Sequence, residues 1–170
     1  ADPVLTVTLR NLLSEPVSLH NLSQSLTNNG GPVWDGGAAG PRPGIGVRVR
    51  SFTHEAAGNG GTASYTWGSV GSPFKPGTYL VQSGTNPAKQ VQMGLFAPVA
   101  KDTALSTAYP SVPYNKELIL VFHEIDPAIH AAVAAGTYGP GGTITSSVYR
   151  EPAYFLINGM GYPAAGLNPV

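Results

Sequence analysis

The chain contains no cysteine and carries little charge, and both shortages exclude classes of function. None of its 170 residues is a cysteine, so disulfides, thiolate catalysis, iron-sulfur clusters and thiolate-ligated copper or zinc sites are excluded within it. Charged residues make up only 11% of the chain, nine cationic and nine anionic, against about a quarter in an average globular domain. The cations are scattered, which argues against nucleic acid and anionic membrane surfaces as partners.

Long apolar runs are lacking as well. No stretch approaches the roughly 20 apolar residues that a membrane-spanning helix needs, and Ala1 does not open a basic-then-apolar signal sequence. We therefore expect a soluble, already trimmed chain without a membrane span. Its length predicts about one domain, enough to bury roughly 70% of the unfolded surface.

Glycine and proline, in contrast, are abundant. The chain holds 22 glycines and 16 prolines beside 42% hydrophobic residues, which favours short strands joined by tight turns over disorder. Residues 28–46 are especially rich in both and predict a long loop. Val33 and Trp34 within this loop are expected to attach it to the core.

Period-two alternation predicts a series of short strands. In the first of them, Leu5, Val7 and Leu9 lie on one face and polar residues on the other. The predicted strands span residues 5–10, 17–22, 45–52, 62–70, 77–83, 90–99, 118–122, 143–149 and 154–157. Their spacing is typical of a Greek-key sandwich. The candidate core residues are Tyr65, Trp67, Tyr79 and Val81.

Two later segments have more specific signatures. The apolar run from Leu118 to Phe122 predicts a strand that is buried on both faces. One short helix is predicted after it, with Asp126 as N-cap, Pro127 in the first turn and Gly136 at the end.

Few residues offer metal or acid-base chemistry. His123, Glu124, Asp126 and His130 fall within eight residues, and imidazole and carboxylate ligands of this kind suit zinc or manganese. The alternative is that the two carboxylates cap the helix while the histidines are surface or hydrogen-bonded groups. No nucleophile elbow and no glycine-rich phosphate loop occurs.

The order of the segments resembles the first cupredoxin domain of bacterial multicopper oxidases. The segments that carry this similarity are Val4 to Arg10, Glu15 to His20, G-T-Y-L-V-Q-S-G at 77–84 and Q-V-Q-M-G-L at 90–95. Residues 118–126 and the sequence Y-F-L-I-N-G at 154–159 resemble the end of that domain and its passage into the next. The similarity covers nearly the whole chain, from Val4 to Pro163.

The resemblance implies an all-β, cupredoxin-like Greek-key β-sandwich with one short helix. Residues 1–153 would form the cupredoxin-like domain, and residues 154–170 would be the passage toward a following domain, with Asn158 and Gly159 at this passage. The family further implies a periplasmic or extracellular location.

The resemblance also implies copper, but this chain departs from the family's ligand pattern. Family members carry two His-x-His pairs that feed a trinuclear copper site. Here the first pair reads His20-Asn21-Leu22 and the second Gln82-Ser83-Gly84. His20 is thus the one position to which a ligand role carries over, and both a metal contact and a packed, hydrogen-bonded role are open for it. We expect no cofactor in this chain and copper only elsewhere in the parent protein.

The expected function is that of a copper-free domain or subunit of a multicopper-oxidase-type protein, with a packing, assembly or site-access role. The parent would oxidise a small reductant with O2, and this chain alone is not expected to be catalytic. Expected partners are further cupredoxin domains, a partner subunit or further copies of the chain. The alternatives are a stand-alone binding or surface-assembly module and a metalloenzyme that uses the cluster at residues 123–130.

Overall fold

The computed structural model describes residues 2–28, 30–35, 48–148 and 150–162. The chain forms two compact units, Ala1–Lys116 and Glu117–Val170. This division falls earlier in the chain than the domain boundary predicted between residues 153 and 154, which stays a prediction.

The fold is mostly β, as predicted. In the first unit the elements are β1 (Leu5–Arg10), β2 (His20–Asn21), β3 (Val33–Trp34), β4 (Val49–Ser51), β5 (Thr62–Trp67), β6 (Gly77–Gln82), α1 (Pro87–Gln90), β7 (Phe96–Lys101), β8 (Thr107–Tyr109) and β9 (Val112–Pro113). In the second unit they are β10 (Phe122–Ile125), α2 (Pro127–Ala134), β11 (Tyr154–Ile157) and β12 (Met160–Tyr162). Neither helix of the described residues has the length and apolar character of a membrane-crossing helix.

The strands pair into small antiparallel sheets. The first unit contains the sheets β1-β5, β2-β6-β7, β3-β4 and β8-β9, and the second contains β10-β11-β12. No closed barrel forms among the described residues. The cupredoxin-like Greek-key arrangement stays a prediction.

The core of the first unit lies between β5 and β6. Tyr65, Trp67, Phe74 and Val81 are buried together, because alternation along each strand turns every second side chain inward. Tyr79 is partly buried and packs against this cluster, as do Leu5, Val7 and Leu9 of β1. The predicted core is therefore confirmed, and Phe74, which lies outside any strand, is an addition to it.

The prediction of a doubly buried strand at residues 118–122 is wrong. Only Phe122 belongs to a strand, and the side chains of Leu118 and Phe122 are 56% and 70% exposed. At residues 119 and 121 the side-chain amide of Asn158 takes the place of a partner strand, because its Nδ2 donates to the carbonyl of Ile119 and its Oδ1 accepts from the amide of Val121. A side chain thus occupies the backbone groups that a partner strand would need.

The prediction of a single helix and of a strand at residues 90–99 also needs correction. Pro87 begins a second short helix, α1, and the strand starts only at Phe96. Gln90 is 1% exposed at the end of α1, where its Nε2 donates to the carbonyl of Pro16. This long-range hydrogen bond stabilises a helical turn that the local sequence pattern does not indicate.

The predicted helix at Asp126 is confirmed as α2. The carboxylate of Asp126 accepts from the amides of Ala128 and Ile129, as an N-cap residue does. Beyond the helix, Gly136 adopts a φ of +68°, a left-handed conformation that favours glycine at a helix end.

Several other strands are shorter than predicted. Of residues 17–22 only β2 is a strand, and Val17 forms an isolated bridge with Ala56. Of residues 143–149, Ile144 makes one isolated bridge with Tyr138 and no strand forms among the described residues. Position 149 lies outside the described residues.

The predicted loop at residues 28–46 contains a strand. Val33 and Trp34 form β3, which attaches this segment to β4, whereas neither residue is among those that pack against the core cluster. Residues 29 and 36–47 lie outside the described residues, and with them most of the predicted loop and the start of the strand predicted at 45–52.

We expect Trp67→Ala to lower the free energy of unfolding by about 3–5 kcal/mol, because it leaves a cavity in the core. Urea denaturation followed by circular dichroism measures the effect. Val70→Ala is the control, since Val70 is 89% exposed and its truncation should change stability by less than about 0.5 kcal/mol. Equal losses in the two variants would place the core elsewhere.

Candidate functional site

The two segments in which the sequence predicts possible copper-ligand positions, around His20 and Gln82, lie side by side in one sheet. Strand β2 pairs with β6, with His20 opposite Gln82 and Asn21 opposite Val81. Directly opposed residues of an antiparallel pair project to the same face. His20 and Gln82 therefore share the outer face of the sheet, while Val81 belongs to the core.

His20 sits in a partly apolar environment. Its ring lies 5.5 Å from that of Phe52, tilted by 52°. Burial lowers the pKa of His20 below its ordinary value, because an imidazolium loses hydration when it is removed from water. The neutral ring keeps a lone pair on one nitrogen, so His20 retains the chemistry of a single ligand.

The residues around His20 do not fit a trinuclear copper cluster. Leu22 offers no donor atom and is 65% exposed, and Gly84 has no side chain. A Cβ added at Gly84 would lie 3.0 Å from Oγ of Ser18 and 3.2 Å from Cβ of His20, so a ligand at this position would require its neighbours to shift. One imidazole alone holds copper weakly.

Close to His20 lies a cluster of buried hydroxyl groups, which we call the hydroxyl cluster. It consists of Ser18, Ser51, Thr53, Ser83 and Thr85, each at most 2% exposed. Oγ of Ser18 lies 2.9 Å from Oγ of Ser51 and 3.0 Å from Oγ1 of Thr85. Ser51 in turn donates to the carbonyl of Thr53 at 2.7 Å. These bonds satisfy the polar groups and so permit their burial.

A charged pair anchors the hydroxyl cluster at one end. The carboxylate of Glu55 receives Nη2 of Arg50 at 2.6 Å and Nε at 3.2 Å, a bidentate geometry. Its side chain is only 9% exposed, and its Oε1 lies 2.9 Å from Oγ1 of Thr85. The hydrogen bond to Glu55 raises the pKa of Arg50, so the guanidinium keeps its positive charge.

The other end of the hydroxyl cluster is tied to helix α1. Ser83 donates to Oε1 of Gln90 at 2.6 Å, and Gln90 bonds the carbonyl of Pro16 at 2.9 Å. All of these groups are buried and engaged, so none is a free nucleophile or ligand. Their effect is to hold β2, β4, β6 and α1 in one arrangement.

The outer face around His20 is apolar and exposed. Leu22, Phe52 and Leu80, which with His20 and Gln82 we call the outer patch, are 65%, 49% and 38% exposed. Exposed apolar side chains that gather in one place typically mark a contact surface. The sequence alone could have indicated this patch, because the alternation of β6 places the apolar side chain of Leu80 outward, where a polar residue is expected.

The second candidate cluster, at residues 123–130, does not assemble a metal site. Glu124 pairs with Arg150, with Nε to Oε1 at 2.6 Å. Asp126 caps α2 and also accepts from the amide of Glu151 at 2.8 Å, and these backbone hydrogen bonds lower its pKa. Nε2 of His130 is buried without a hydrogen-bond partner among the described residues. Across the described ranges, no group of three or more histidine, aspartate or glutamate side chains could hold a metal ion.

The capping alternative is therefore confirmed for Asp126, whereas Glu124 forms an ion pair instead. The structure gives no support to the metalloenzyme alternative.

Comparison with family models, with curated proteins and with solved structures returns no match for this chain.

We expect Thr85→Val to lower the free energy of unfolding by about 1–3 kcal/mol, because Ser18 and Glu55 then lose a buried hydrogen-bond partner. Thr78→Val makes the same chemical change on the exposed side of β6 and should be within about 0.5 kcal/mol of the wild type. Urea titrations of both variants measure the difference. A Thr85→Val protein as stable as Thr78→Val would mean that the hydroxyl cluster contributes nothing.

The lowered pKa of His20 predicts a pH dependence of stability. Folding favours the neutral ring, so its contribution is complete above the ordinary pKa of 6.5 and is lost as the pH falls through the folded-state pKa. Between about pH 8 and pH 5, the wild type should therefore lose more free energy of unfolding than His20→Gln, which cannot titrate there. Parallel pH profiles of the two proteins would contradict this.

Proposed function

We propose that the chain is a copper-free, cupredoxin-like part of a multicopper-oxidase-type protein and serves packing and assembly. The observation that carries the proposal is the pairing of His20 with Gln82 at the centre of the outer patch. Where the family pattern calls for converging imidazoles, this sheet presents one histidine, a carboxamide and apolar side chains. Such a surface suits contact with another protein surface better than it suits metal chemistry.

The hydroxyl cluster supports this proposal because it adjoins His20. It fixes β2 against β4 and β6 through Ser18, Ser51 and Thr85, which makes the outer patch a preorganised surface. Leu22 directly follows β2, and Leu80 lies opposite Pro98 of β7. The contact area would therefore include apolar residues from three neighbouring segments.

The resemblance supplies the proposed partner and parent chemistry. The outer patch would receive a further cupredoxin domain or a partner subunit, and copper sites elsewhere in the parent would oxidise a small reductant with O2. A periplasmic or extracellular location belongs to the same proposal. In this proposal the chain takes no part in the electron transfer.

Metal analysis of the purified chain tests the proposal. After dialysis against copper, we expect far less than one copper per chain, with the same content in His20→Gln. Gln82→His is the positive control, because it adds an imidazole directly opposite His20 and two imidazoles across a strand pair suit a divalent metal. Stoichiometric copper in the wild type that disappears in His20→Gln would overturn the proposal.

The second candidate function is a stand-alone binding or surface-assembly module that uses the same scaffold without an oxidase. The outer patch favours it equally, because an exposed apolar surface does not specify its partner and a fold does not determine a function. The coding sequence around this chain distinguishes the two. A downstream His-Cys-His segment supports the oxidase, whereas a stop codon or adhesive repeats support the module.

A further inference from the structure

One long edge of the first unit has no partner strand among the residues that the structure describes. Strand β1 pairs with β5 along its whole length, from Leu5 opposite Trp67 to Arg10 opposite Thr62. No other strand of the described residues pairs with it. The free edge is six residues long, the length of the longest strands in the fold.

The pattern of hydrogen bonds shows which backbone groups point outward from this edge. The carbonyl and amide of Thr66 bond Thr27 and Asn28, on the side of β5 away from β1. The amide of Asn11 bonds the carbonyl of Gly61 on the near side. Since bonding direction alternates along an antiparallel pair, the odd positions of β1 bond β5.

The amides and carbonyls of Thr6, Thr8 and Arg10 therefore face the free edge. No backbone hydrogen bond reaches these groups from the described residues outside β5.

The sequence of β1 offers little protection against pairing. Strand β1 contains no proline, and its one charged residue, Arg10, is at its end. The contrast is β7, the edge strand of the neighbouring sheet. The amide of Ser83 bonds the carbonyl of Leu95, so the odd positions of β7 bond β6 and the even positions, 96, 98 and 100, face outward. The middle outward position is Pro98, which has no amide to donate. Proline at this place blocks strand addition, and β1 carries no such block.

We propose that the free edge of β1 pairs with β1 of a second copy of this chain, antiparallel about a two-fold axis at Thr8. Thr8 then lies opposite Thr8 of the second copy, and Thr6 lies opposite Arg10. All outward amides and carbonyls of both strands find partners in this register. The proposal is independent of the proposed function, because the outer patch belongs to a different sheet.

The side chains of β1 are compatible with this register on both faces. On the core side, Val7 faces Leu9 of the second copy, and both are only partly buried in the single chain. On the other side, threonines meet at the axis. The two arginines at position 10 are four residues out of register and about 14 Å apart, beyond the roughly 8–10 Å over which charges act in physiological salt.

Oligomeric state and one proline substitution provide the first test on the full chain. Size-exclusion chromatography with light scattering should give twice the 17.5 kDa of the single chain. Thr8→Pro should give the single mass with an unchanged circular dichroism spectrum. It removes an outward amide only, and so costs no bond between β1 and β5. A monomeric wild type at every concentration, or a folded Thr8→Pro dimer, would overturn the proposal.

Disulfide trapping provides a second test that does not depend on how Thr8→Pro folds. The chain has no cysteine, so Thr8→Cys introduces a single thiol, and its Cα would lie about 5.5 Å from its mate, within disulfide reach. Ser64→Cys is the matched control, because Ser64 lies opposite Thr8 on β5 and is also exposed. Its mate would be three strand spacings away, about 14 Å.

Under mild oxidation, Thr8→Cys should form covalent dimers many times faster than Ser64→Cys. Equal rates would indicate random collision and refute the register.

Discussion

The first unit depends on the need to pair and hydrogen-bond the carboxylate of Glu55, which is almost completely removed from water. A charge that is largely removed from water must be paired and hydrogen-bonded, or its burial costs several kcal/mol. Arg50 supplies the charge and Thr85 the hydroxyl contact. From Thr85 the contacts continue to Ser18 and Ser51, so one buried acid organises the strands around it.

This network lies beside β2. Ser18, two residues before the strand, bonds Ser51 and Thr85, and His20 in the strand lies against the exposed ring of Phe52. The buried hydrogen bonds therefore fix the position of β2, while apolar side chains next to His20 remain exposed.

Local patterns in the sequence predicted a good part of this architecture. The alternation of Leu5, Val7 and Leu9 indicated β1, and Asp126 with Pro127 indicated the start of α2. The prediction of a buried strand at 118–122 was wrong, because apolar character within one segment does not supply a partner strand, and at residues 119 and 121 the side chain of Asn158 bonds the backbone instead. Helix α1 escaped prediction, because its stabilising bond from Gln90 to Pro16 spans 74 residues.

The sequence by itself determined the elements whose cause is local: strand alternation, the helix cap and, through the lack of cysteine, the absence of any thiolate site. Only the tertiary structure decided that His20 faces Gln82, that five hydroxyl groups share one buried cluster and that β1 keeps a free edge. The physical reason is that strand pairing and hydrogen bonds to buried charges join residues distant in the chain, and periodicity within one segment contains no information about which other segment it will meet.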